Sequence, residues 1–128
     1  MKLSKLILFL LILSTSLLGA ADPAVKNLDV AAFAKMREAK TNVVLDVRTK
    51  QEYDAGHMPG AILIDFNSPD FASKIAALSK DKTYLVHCAA GGRSAKACDK
   101  MGKLNFLSVY NLEGGFRAWE KAGKPVEK

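Results

Sequence analysis

"TYLVHCAAGGRS", residues 83–94, sets a strand, a turn and a helix start end to end. Tyr84, Leu85 and Val86 form a continuous apolar run, the pattern of a strand buried on both faces. Cys88 closes that run and is followed by Ala89, Ala90, Gly91 and Gly92. Arg93 and Ser94 then open a segment of helical period, in which Ala97, Met101 and Leu104 form an apolar stripe. A buried strand that turns through glycines into a helix is half of a parallel β-α-β unit.

The same alternation extends in both directions from this stretch. "NVVLDVR" (42–48) and "AILIDF" (61–66) are further runs expected to be buried on both faces, "LSVYNL" (107–112) is a fourth strand, and Ala24 to Leu28 supply a short fifth. Between them, Asp29 can cap a helix with Val30, Phe33 and Ala34 on one face, and Ser68 can cap another carrying Phe71, Ile75 and Leu78. A terminal helix from Gly115 to Ala122 carries Phe116 and Trp119 and is stopped by Gly123 and Pro125. Strands alternating with helices give an α/β fold: a central parallel sheet of about five strands with helices on both faces. Ligands in such folds sit beyond the carboxyl ends of the strands. "LDVR", "LVHC" and "YNLEGG" should therefore converge on one site.

Residues 1–21 read as a leader rather than as part of this fold. Lys2 and Lys5 give a basic start, "LILFLLILSTSLL" (6–18) is almost wholly apolar, and Gly19, Ala20 and Ala21 are the small residues of a cleavage site. The run is short for a membrane span and carries Ser14, Thr15 and Ser16 near its end. The expectation is a secretory signal peptide over 1–21, a single domain over 22–128 with no stable membrane anchor after cleavage, and a periplasmic location. The net charge of +6 falls to +4 once Lys2 and Lys5 leave with the leader. The remaining basic residues are spread along the chain without the clustering of a nucleic-acid footprint, so no nucleic-acid partner is expected.

The turn after Cys88 carries the chemistry. Small residues at 89–92 let successive backbone N–H groups point toward one centre, and the helix that begins near Arg93 adds the positive end of its dipole. A sulfur held there should be largely thiolate, which is the nucleophilic form. Arg93 supplies a fixed cation at the rim and Ser94 a hydroxyl donor. Taken alone, the pattern also fits a strand-end core cysteine followed by an ordinary glycine turn.

Four stretches together carry a resemblance: "LDVR" with the following Glu52, "GHMPGA" (56–61), "HCAAGGRS" (87–94) and "LEGGFRAWEKAGKPV" (112–126). In that order, and over nearly all of residues 22–128, the chain resembles a single-domain rhodanese, a sulfurtransferase. The resemblance implies the rhodanese-like three-layer fold and a mechanism. Cys88 would take a sulfane sulfur from thiosulfate or a similar small anionic donor as a persulfide, then pass it to a thiol or cyanide acceptor. The amides of Ala89, Ala90, Gly91 and Gly92, with Ser94, would hold the transferred sulfur, Arg93 would balance the donor, and no metal or organic cofactor is implied. Cys88 and Arg93 are separated by four residues. Phosphatases of this fold use five, a wider ring suited to the several oxygens of a phosphoryl group, whereas a tighter ring suits a single sulfur. The rival classes are a small cysteine phosphatase or arsenate reductase, and a non-catalytic module that binds anions or persulfides.

The remaining marked residues read as structural support. Asp46 is expected to serve neighbouring backbone at its strand end, Arg48 and Glu52 to form an ion pair fixing a short helix, and His57 to tie the "GHMPGA" turn to backbone. Gly114 and Gly115 are expected to pass near the Cys88 loop, and Trp119 to anchor the last helix. Cys98 leaves three alternatives open: a packing residue, a resolving thiol, or a disulfide partner of Cys88.

Overall fold

The computed structural model describes residues 26–128; the expected leader lies outside the described residues. Five strands form one parallel sheet: β1 (Lys26–Leu28), β2 (Val43–Asp46), β3 (Ile62–Leu63), β4 (Thr83–His87) and β5 (Ser108–Leu112). Their spatial order is β1-β5-β4-β2-β3, so β4 lies at the centre. Pairing of Val44 with Leu85 and of Asp46 with His87 brings the carboxyl ends of β2 and β4 side by side, and Cys88 follows directly.

Among the described residues, five helices cover the sheet: α1 (Val30–Arg37), α2 (Lys50–Ala55), α3 (Phe71–Ala76), α4 (Gly92–Lys103) and α5 (Gly115–Lys121). Because successive strand residues point to opposite faces, neighbouring apolar residues feed two separate cores. Leu45 and Val86 pack with Ile75 of α3 and with Ala97 and Met101 of α4. Val44 and Leu85 pack with Phe33 of α1 and with Phe116 and Trp119 of α5. This explains why the central strands carry no polar alternation. Among the described residues, no helix is long and apolar enough to cross a membrane.

Two local readings need correction. "AILIDF" is not buried on both faces: only Ile62 and Leu63 form strand, on an edge, and Ile62 is 47% exposed. An edge strand has one neighbour; beyond Leu63 the chain still follows β2, the Ile64 N–H donating to the Asp46 carbonyl and the Phe66 N–H to the Val47 carbonyl. Ser68 does not cap α3; the helix starts at Phe71 after Asp70, and the Ser68 hydroxyl binds the Asp70 carboxylate instead. Helix α3 ends at Ala76, yet Leu78 still packs against the core. At α1, Asp29 caps as expected, accepting the Ala32 N–H at 2.8 Å.

Candidate active site

Cys88 stands where β4 meets the loop, 1% exposed. Its sulfur accepts the Gly91 N–H at 3.1 Å and lies 3.3 Å from Ser94 Oγ. Gly91 adopts φ +112°, a conformation costly for any residue with a Cβ, and it turns that N–H inward. Ser94 Oγ also lies 3.2 Å from the Gly91 carbonyl. A hydroxyl has one proton, so ionisation of the sulfur draws it toward Cys88 and away from the carbonyl. Burial pushes the Cys88 thiol upward, but hydrogen bonds from the Ser94 hydroxyl and from the N–H groups of Ser94, Gly91 and Ala90 outweigh it. The thiol ends below its ordinary value.

The loop rests on α5. Phe116 N–H donates to the Cys88 carbonyl at 2.8 Å, and Arg117 N–H to the Ala89 carbonyl at 3.1 Å. These are free N-terminal donors of a helix, satisfied by the loop they support. They can come so close because Gly114 and Gly115 take φ of +74° and +60°. A Cβ on Gly115 would lie 2.6 Å from the Ala89 carbonyl group. The two glycines thus pass near the loop as expected, while the donors they bring there are backbone groups that residue types cannot reveal.

His87 lies behind the loop, fully buried, with Nδ1 3.2 Å from the Cys88 carbonyl. Burial is the main cause holding its pKa below the ordinary histidine value, so the ring is neutral at neutral pH. Its hydrogen bond is to the carbonyl of Cys88 and not to the sulfur, so it braces the loop and does not act as base to the nucleophile.

The expected Arg48–Glu52 ion pair does not form. Arg48 turns back onto Asp46, donating Nη2–H to Oδ2 at 2.8 Å, while its backbone N–H reaches Oδ1 at 3.0 Å. The same guanidinium also donates to the Gly56 carbonyl at 2.8 Å and lies 4.1 Å over the Phe116 ring. Asp46 and Arg48 are both buried, and a carboxylate two residues away can reach the guanidinium without leaving the interior. Asp46 accordingly serves structure, as its strand-end position suggests.

Glu52 instead binds Arg93, which donates Nη1–H to Oε1 at 2.7 Å and Nη2–H to Oε2 at 3.0 Å. This two-pronged geometry is the strong form of an ion pair. Arg93 is the main cause holding the Glu52 carboxyl down at about 2. Glu52 is itself fixed by a capping box at the start of α2, where Thr49 accepts the Glu52 N–H and donates its own N–H to the carboxylate. The Thr-x-x-Glu spacing of that box is legible in the sequence and frees Glu52 from Arg48. Arg93 therefore stands beside the Cys88 loop with its charge already matched.

The outer residues are structural. His57 Nδ1–H donates to the Tyr53 carbonyl at 2.8 Å, its ring stacks on Tyr53, and its backbone pairs with Glu127. Trp119 is 1% exposed, meets Phe33 edge-on and donates Nε1–H to the Pro125 carbonyl at 2.8 Å. Cys98 is buried in the α4 face and both cysteines are free, which leaves no Cys88–Cys98 bridge in this structure. Burial, followed by the charge on Cys88, pushes the Cys98 thiol up to about 12. It is a packing residue in this state and a poor nucleophile.

Comparison with known proteins places the chain in one family. Residues 29–122 match the family described as the Rhodanese-like domain. Thiosulfate sulfurtransferase GlpE of Shewanella oneidensis is 33% identical over 97 residues, covering 76% of this chain and 94% of that protein. Chloroplastic thiosulfate sulfurtransferase 16 of Arabidopsis thaliana is 33% identical over 93 residues, covering 65% of this chain and 78% of that protein. The crystal structure of a rhodanese-related protein from Thermoplasma volcanium superposes with a TM-score of 0.71 at 32% identity, covering 80% of this chain and 97% of that one.

Proposed function

This chain belongs to the rhodanese-like domain family, and from that premise we propose that it moves sulfane sulfur from thiosulfate or a similar donor to a thiol or cyanide acceptor through a persulfide on Cys88. The observation that carries the reading is the Cys88 sulfur held by the Gly91 N–H and the Ser94 hydroxyl in a four-residue loop. In the first half-reaction the Cys88 thiolate attacks the outer sulfur of thiosulfate. An S–S bond forms to Cys88, and the bond to the sulfonate breaks, so that sulfite leaves with its electron pair. In the second, an acceptor thiolate or cyanide attacks the outer sulfur and the Cys88 thiolate departs. Neither step needs a proton delivered to the leaving group, because sulfite and the thiolate are both stable anions.

That requirement weighs against phosphate ester hydrolysis, whose alkoxide leaving group needs a general acid. Glu52 is held ionised by Arg93, and Asp46 is buried with both carboxylate oxygens bound to Arg48, so neither is placed to protonate a leaving group. A module that only binds anions would not need the sulfur held by donors that favour its ionised form. Export to the periplasm belongs to the same proposal and is supported by the basic, apolar and small-residue order of positions 1–21.

Incubation with thiosulfate, followed by intact-mass measurement, is expected to show the protein gaining one sulfur atom, reversed by cyanide. A chain that gains no sulfur while hydrolysing an aryl phosphate would replace this reading with the phosphatase one.

A further inference from the structure

Glu52 has two faces. One grips Arg93; the other lines a hollow of about 230 Å³ between α2 and α5, together with Arg48, Gly56, Phe116 and Glu120. In that hollow the charge of Arg48 is taken by Asp46 and that of Glu52 by Arg93. Beside the loop, both Nη atoms of Arg93 bind Glu52, and the pair is partly shielded, with side-chain exposures of 25% and 33%. The capping box holds Glu52 in place before any ligand arrives, so this is a preset clamp and not a loose surface pair. A donor approaching Cys88 thus meets an arginine whose charge Glu52 already matches, beside the thiolate itself.

We propose that the Glu52–Arg93 clamp is a specificity device that selects against doubly charged donors such as thiosulfate and favours alkyl hydropersulfides carrying at most one charge. The inference rests on the sulfurtransferase reading and names the donor class of that same site. With a hydropersulfide, the Cys88 thiolate attacks the outer sulfur, the donor S–S bond breaks, and the alkyl thiolate leaves with the electron pair. The outer sulfur keeps its proton, so atoms and charge balance without another reactant. A dianion gains from any unmatched cation near the reaction centre, whereas a singly charged donor gains half as much and a neutral one almost nothing. The selectivity therefore tracks the Glu52 charge.

Glu52→Gln tests this, because glutamine keeps the capping box and the fold while removing the charge. Thiosulfate and 2-hydroxyethyl hydropersulfide serve as the two donors. For thiosulfate, kcat/KM should rise about tenfold, mainly through KM, while the hydropersulfide changes by less than about threefold. The freed arginine should also make the thiosulfate reaction markedly more salt-sensitive than in the wild type, a response that loss of structure would not produce. An unchanged or lower thiosulfate kcat/KM in a folded variant, or an equal change for both donors, overturns the clamp while leaving sulfur transfer standing. A wild type that takes sulfur from neither donor overturns the underlying reading, and the clamp with it.

Discussion

Cys88→Ser is expected to lose sulfur transfer from thiosulfate by at least about four orders of magnitude while remaining folded. A serine hydroxyl ionises far above neutral pH and needs an adjacent base to become a nucleophile. The adjacent histidine, His87, turns Nδ1 to the carbonyl of residue 88 and Nε2 toward Asp46 at 3.7 Å, so neither nitrogen is bonded to the nucleophile. Ser94 and the Gly91 N–H are donors to the nucleophile, so they stabilise its anion without removing a proton from it. The same contacts would satisfy a serine oxygen, which is why the substitution should leave the melting temperature close to that of the wild type. Steady-state kinetics and a thermal melt check the two halves separately. Retained turnover in the folded variant would move the chemistry to another residue.

The second large effect is structural. Gly115→Ala should destabilise the domain by about 3 kcal/mol, the sum of a strained positive φ and a forced overlap. For a domain of this size that corresponds to a melting temperature lower by roughly 15 °C. The new Cβ would sit 2.6 Å from the Ala89 carbonyl group and 2.7 Å from the Ala90 nitrogen, both backbone, which no side-chain rotation can relieve. The helix and loop must therefore separate, and the Phe116 N–H loses the Cys88 carbonyl. Gly92→Ala is the matched control, since a Cβ there meets nothing within 4 Å; its stability should change by no more than about 0.5 kcal/mol. Equal melting temperatures for the two variants would mean that α5 does not set the loop.

Much of this arrangement can be read from the chain because it rests on local pattern. The central strands are announced by unbroken apolar runs, and the loop by small residues placed between a strand and a helix. Gly114 and Gly115 signal a close approach because only glycine tolerates one. What the sequence hides is pairing between charges. Arg48 can choose between Asp46 and Glu52 by spacing alone, and the outcome depends on burial of the Asp46 carboxylate and on the hold of Thr49 upon Glu52. Arg93 finds Glu52 across 41 positions, a contact set by the parallel pairing of β2 with β4 and not by any local motif. The backbone donors of Phe116 and Arg117 are hidden for another reason: every residue type but proline carries one.

The central claim is that the Gly91 N–H and the Ser94 hydroxyl keep the Cys88 sulfur ionised and ready to accept a second sulfur. Its most direct test is the rate of Cys88 alkylation by iodoacetamide as a function of pH, with the modified residue located by mass. Cys98, pushed up to about 12, stays silent across the useful range. The account predicts a midpoint clearly below the free-thiol value of about 8.5 and an upward move in Ser94→Ala. A midpoint at or above that of a free thiol, unmoved by the loss of the Ser94 hydroxyl, would contradict it.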